Sequence, residues 1–166
     1  HTGHLSFGFI AQEGVDSRKV SSYSKKIASH GLKLAKDNSF WIAKGEGEKI
    51  SGHISILDDI IEKLSEPTRT CTCLLVYNDI AANYLIDGLK EKGISVPEDI
   101  AIASFDNTLL AQTKKITSVA QPVNEIAHFA FQMVKHQQQP DSIEMHEIVS
   151  RLIIREISVK INITSL

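Results

Sequence analysis

Apolar residues recur along this chain in two rhythms. Mainly apolar runs, continuous only over 40–43 and 73–77, predict strands over 5–10, 40–43, 73–77 and 100–105, with a shorter strand-like piece over 116–119. Between them, apolar positions return every three or four residues, the spacing of a helix with one buried face. That spacing predicts a helix over 17–30 closed by Gly31, and a second built on Ile50, Ile54, Leu57, Ile60, Ile61 and Leu64 that ends before Pro67. A third carries Ala82, Leu85, Ile86 and Leu89 inward, with Asp79 as its cap, and stops at Gly93. A helical turn over 108–111 and a helix over 123–134, carrying Ile126, Ala127, Ala130, Phe131 and Val134, follow. A turn at Gly45-Glu46-Gly47-Glu48, a polar loop over 135–141 and a late strand over 148–157 complete the reading, and no internal repeat is visible. Strands alternating with amphipathic helices imply an α/β fold: a doubly wound, mostly parallel sheet with helices on both faces.

In such sheets ligands bind in the crevice beyond the carboxyl ends of the strands. Two predicted strands end in acid-amide pairs, Asn78-Asp79 and Asp106-Asn107, 28 positions apart. Parallel pairing would bring both pairs to one rim. Planar amides and carboxylates can exchange hydrogen bonds with the hydroxyls of sugars and nucleosides, so Asn78 and Asp106 are candidate ligand contacts.

The run from Asn78 to Pro122 also resembles a known family. Asn78-Asp79, Ala82, Leu89, Gly93, Val96-Pro97-Glu98-Asp99, Phe105-Asp106, Thr117, Val119 and Gln121-Pro122 stand in the order seen in the effector-binding region of lactose-repressor (LacI/GalR) type bacterial transcription regulators. The likeness continues upstream to Gly3-His4 and Phe7-Gly8-Phe9-Ile10, and downstream to Leu152-Ile153-Ile154-Arg155-Glu156. It implies a periplasmic-binding-protein-like subdomain over 1–158 followed by a tail over 159–166. On this expectation the chain is the second half of a two-lobed effector-binding domain, without the first lobe, the hinge or the helix-turn-helix head.

The same resemblance implies that Asn78 and Asp106 contact the effector, a small sugar or related polyol, and that DNA is touched only through the missing head. Relatives commonly place an Arg four residues before an aromatic in the first helix. Here that position is Lys19, four before Tyr23, with Arg18 beside it. Lysine lacks the two-pronged contact of arginine, so either Arg18 substitutes or the ligand chemistry differs, unless both are simply solvated helix charges. Other departures are Ser22 and Ser104 where Gly is usual, Tyr84 where a Gly is expected two beyond Ala82, Lys114-Lys115 where Pro-Pro is common, and a short segment between Asp106 and Gln121. In the family, the helix after Gln-Pro packs on the first lobe. Its apolar face therefore needs a cover here, either its own sheet or a second chain, which favours a homodimer.

Composition narrows the alternatives. At 166 residues, 42% hydrophobic and 23% charged, the chain suits one soluble domain with an adequate core. No run approaches a membrane span and no export leader precedes the first strand, so the expected compartment is the cytoplasm. A net charge of −2 argues against holding a nucleic-acid duplex unaided. Cys71 and Cys73 are the only cysteines and have no further ligands nearby, which makes a reduced, structural role the expectation over a metal site. Neither a nucleophile elbow, a phosphate-binding loop nor a zinc-protease motif is present, and no cofactor is expected. His1 and His4 are read as incidental, and Asn162-Ile163-Thr164 as a chance glycosylation match. A periplasmic-type sugar-binding protein is the first rival reading and a small α/β enzyme the second.

Overall fold

A computed structural model describes residues 6–43, 50–135 and 147–158, with side chains from 54 onward in the second span. The expected turn at 45–48, most of the polar loop, both early histidines and the tail lie outside the described residues. The strands are β1 (Ser6–Gln12), β2 (Lys33–Leu34), β3 (Phe40–Ile42), β4 (Cys73–Val76), β5 (Ala101–Asp106), β6 (Thr117–Ala120) and β7 (Arg151–Ile153). The helices are α1 (Ser17–Ser29), α2 (Ile50–Ser65), α3 (Asp79–Glu91), α4 (Leu109–Thr113) and α5 (Val123–Lys135), with single 3-10 turns at Lys36–Asn38 and Glu156–Ser158.

The sheet runs β2-β1-β4-β5-β6-β7, and β3 also pairs with β1. Every pairing is parallel except that of β6 with β7. One edge of β1 is shared: Ser6 and Phe7 meet β2, while Ile10 to Gln12 meet β3. The link between β2 and β3 crosses close to Gly8, where a Cβ would overlap the carbonyl oxygen of Asn38. This explains a glycine inside an otherwise apolar strand. Asn38 then anchors the link, because its buried Oδ1 accepts from Thr70 N (2.9 Å), Thr70 Oγ1 (3.1 Å) and Cys71 N (3.3 Å).

Alternation along the strands divides the core. Ile10, Leu74, Val76 and Ile102 face α2 and α3, meeting Leu57, Ile60, Ile61, Leu64, Ala82, Leu85 and Leu89. Phe9, Ala11 and Leu75 face the other way, onto Val20 and Tyr23 of α1. Each fully buried leucine or isoleucine contributes about 1.5–3 kcal/mol relative to exposure. The doubly wound expectation is met: α1 lies on one face, α2 and α3 on the other.

Three details differ from the sequence reading. The late strand is only Arg151–Ile153, because the chain turns at Glu156–Ser158 and packs Ile157 onto the main core. The Lys33–Leu34 strand had no periodic signal, since two residues are too few to show one. Finally, α5 has no buried residue, so its own sheet does not cover its apolar face. Among the described residues, no helix is long and apolar enough to cross a membrane.

Candidate functional site

Parallel register between β4 and β5 pairs Cys73 with Ala101 and Leu75 with Ala103, so both strands run out at the same rim. Asn78 and Asp106 leave this rim from adjoining strands. β1 ends there too, delivering Asp16 and Lys19 through the turn into α1, and β6 brings Gln121, whose side chain hydrogen-bonds Asp106.

Within the first acid-amide pair the cap is Asn78, not the Asp79 of the sequence reading. Asn78 is the cap of α3, its Oδ1 accepting the backbone N–H of Ala81 at 2.8 Å. Capping uses only its carbonyl oxygen and leaves the NH2 chemically suited to a ligand. Asp79 does not cap. Its carboxylate is fully buried, and each oxygen accepts twice: Oδ1 from Ser104 Oγ (2.5 Å) and Ser118 Oγ (2.7 Å), Oδ2 from Thr108 N (2.6 Å) and Thr108 Oγ1 (2.9 Å). A buried carboxylate is tolerable only when its lone pairs are satisfied in this way. Ser104, where the family resemblance leads one to expect glycine, supplies one of those donors.

Asp79 thereby ties the start of α3 to β5, β6 and the N-terminal end of α4. The turn it anchors is unusual. Asp106 and Asn107 both have positive φ, 100° and 51°. Such values are uncommon outside glycine and mark a backbone held by its surroundings. Here Asn107 N–H donates to Ser118 Oγ (2.9 Å), the same hydroxyl that donates to Asp79.

Lys19, rather than Arg18, reaches the rim. Its ammonium lies 2.7 Å from Asp16 Oδ1 and 4.5 Å from the centre of the Phe105 ring. Asp16 is 2% exposed, and its other oxygen accepts Gln12 N–H at 2.9 Å. Arg18, one residue earlier on α1, is exposed and is not among the lining residues. Asp106 is exposed, yet its carboxyl is pushed up, first by partial desolvation and then by the charge of Asp79. Lys19 and the Gln121 hydrogen bond pull it back. Asp16, Phe105 and Gln121 were not read from the sequence as site residues, although Phe105 and Gln121 stand in the run that carries the resemblance and Asp16 lies three residues before Lys19.

Phe9, Ala11, Asp16, Lys19, Leu75, Tyr77 and Phe105 line a hollow of about 10 Å³ under the rim. That is room for a single water at most, whereas small-molecule pockets run to roughly 300 Å³ or more. The rim is thus one wall with polar groups, not an enclosed site. A larger groove between α2 and α3 is bordered by Asp58, Glu62, Asp87 and Glu91, and three of these four carboxylates are already engaged: Asp58 with Tyr84, Glu62 with Lys92 and Asp87 with Lys114. Among the described residues, no cluster of three or more His, Cys, Asp or Glu could hold a metal. Burial pushes the thiols of Cys71 and Cys73 up, to about 11 and about 12, which leaves them weak nucleophiles and weak ligands.

Comparison with known proteins agrees with this fold. A family profile described as periplasmic binding protein-like domain matches residues 1–157. Catabolite control protein A of Priestia megaterium is 28% identical over 149 residues, 86% of this chain and 42% of that protein. The HTH-type transcriptional repressor PurR of Shigella dysenteriae is 27% identical over 154 residues, 87% of this chain and 43% of that protein. Among solved structures, a LacI family transcriptional regulator from Bifidobacterium animalis matches with a TM-score of 0.74 at 20% identity, covering 95% of this chain and 56% of its own. One from Corynebacterium glutamicum gives 0.68 at 23%, covering 95% and 60%. The chain thus spans less than half the length of these curated relatives.

Proposed function

Since the chain belongs to the periplasmic binding protein-like domain family, matched over residues 1–157, we propose that it is an effector-sensing wall of a bacterial transcriptional repressor. Its carrying observation is the convergence at one rim of Lys19, Asn78 and Asp106, which stand at or after the ends of the three neighbouring parallel strands β1, β4 and β5. Relatives that are transcriptional regulators support the regulatory reading.

In this proposal a sugar or related polyol lies across the rim. Asp106 accepts from its hydroxyls, Asn78 donates through its NH2, and Lys19 donates from beside Phe105. The ring offers the apolar face of a sugar a surface. A second lobe, contributed by polypeptide beyond these residues, closes the other side. Ligand then shifts the balance between open and closed lobes, and with it the spacing of helix-turn-helix heads on DNA. The uncovered face of α5 docks on that lobe or on a second chain, in line with a homodimer in the cytoplasm. Relatives that are transcriptional regulators favour a sensor over an enzyme in this reading.

The coding sequence 5′ of the His1 codon provides the first test: a helix-turn-helix supports the repressor, an export leader the solute-binding rival. Thermal-shift measurements on that gene's complete product with individual aldoses and polyols follow. Asp106→Ala and Asn78→Ala should each erase any ligand-dependent rise in Tm. An undiminished rise in both variants would remove this rim as the site.

A further inference from the structure

The terminal Leu152-Ile153-Ile154-Arg155-Glu156 segment takes no part in the rim, yet its arginine reaches the turn that carries Asp106. Arg155 NH2 donates to Asn107 Oδ1 at 2.7 Å, and NH1 donates to the carbonyl of Ile116 at 2.7 Å. Asn107 and Ile116 are the two ends of the crossover that contains α4, so one guanidinium clasps both ends. The Arg155 backbone is itself pinned, its N–H donating to Thr117 Oγ1 at 2.7 Å and its carbonyl accepting from Thr117 Oγ1 at 3.0 Å.

We propose that Arg155 is the positioning residue for Asp106: by gripping the Asn107 side chain it holds the left-handed turn that presents the Asp106 carboxylate at the rim. This rests on the reading of Asp106 as a ligand contact. Backbone bonds from Asn107 and Thr108 hold the turn from the Asp79 side. They do not touch the Asn107 side chain, and among the described contacts Arg155 is what restrains it. Planarity matters, because only a forked donor reaches the Ile116 carbonyl and the Asn107 carboxamide together. The grip also links the segment returning after α5 to a residue of the sensing rim.

Nuclear magnetic resonance on the full chain without ligand tests the assignment. Arg155→Met should speed amide exchange at Asn107 and Thr108 by about tenfold and move the Asp106 carboxyl resonance, while Leu74 and Ile102 amides keep their wild-type rates. Arg155→Lys, which keeps the charge but loses the fork, should behave like Arg155→Met. In an Asn107→Gly background, where glycine adopts positive φ unaided, Arg155→Met should leave the Asp106 resonance in place. Should Arg155→Met fail to fold, Asn107→Ala removes the acceptor, spares every Arg155 bond to β6 and carries the same prediction for Thr108 and Asp106.

Three results would overturn the proposal: wild-type exchange and an unmoved Asp106 resonance in both Arg155→Met and Asn107→Ala, uniform acceleration at every amide, or an equal Asp106 shift in the glycine background. Because no ligand enters these measurements, their failure is distinct from failure of the ligand assignment.

Discussion

Asp79 Oδ1 sits 2.5 Å from Ser104 Oγ in the protein interior, with neither residue exposed. An acid at the first position of α3 thus serves β5 rather than its own helix. The relationship makes the buried carboxylate a junction between the crossovers on either side of β5.

Removing that carboxylate orphans several donors at once. Asp79→Ala is expected to cost roughly 3 kcal/mol or more, since each buried donor left unpaired costs about 1–3 kcal/mol. Ser104→Gly removes one of four bonds and should cost less, about 1.5 kcal/mol. Urea unfolding midpoints compared with wild type measure both, and equal losses in the two variants would contradict the junction role.

Asn38→Ala removes one oxygen that serves Thr70 N, Thr70 Oγ1 and Cys71 N, and should cost about 2 kcal/mol. Gly8→Ala forces the same link away from β1 and should cost about 1–3 kcal/mol through overpacking. Both act on the link that Asn38 anchors, Gly8→Ala through the Asn38 backbone carbonyl and Asn38→Ala through the side-chain bonds to Thr70 and Cys71, so the double variant is expected to lose less than the two single losses added together.

Asp106 gives a pH dependence of definite sign. Its folded carboxyl lies above the ordinary 3.8, so folding favours its protonated form. That favourable contribution is complete below 3.8 and is lost as pH rises through the higher folded value. Asp106→Asn, neutral throughout, should therefore be more stable than wild type near pH 7, and its advantage should vanish as the pH is taken below 3.8. Thermal denaturation of both proteins between pH 3 and pH 7 reads the gap, and a gap that stays constant refutes the assignment.

Raised thiols predict slow chemistry. In the folded protein at pH 8, iodoacetamide should modify Cys71 and Cys73 at least about tenfold more slowly than in urea, because thiolate is scarce and Cys71 is buried. Mass spectrometry of timed samples provides the rates, and native labelling at the denatured rate would exclude the burial described.

Periodicity made α1 through α3, β4 and β5 legible, because each repeats a pattern over enough residues to betray its buried face. Strand-end logic likewise placed Asn78 and Asp106 on one rim from adjoining strands. What stayed hidden depends on contacts far apart in sequence. Asp79 looked like a cap because capping is local, whereas its actual donors lie 25 to 39 residues away. Arg155 reaches Asn107 across 48 positions, and a two-residue strand such as Lys33–Leu34 has no period at all. Choosing Lys19 over Arg18 required knowing which side of α1 meets Phe105, which sequence spacing alone left open.

Trp41 packs edge to face on Phe9, with ring centres 5.2 Å apart, and Phe9 in turn forms part of the hollow beneath Lys19. As the chain's single tryptophan, and partly open to solvent, Trp41 is a natural optical reporter placed one ring away from the sensing wall. Emission excited at indole wavelengths therefore follows rearrangements of that wall without any attached dye, and a Trp41→Phe variant supplies the blank.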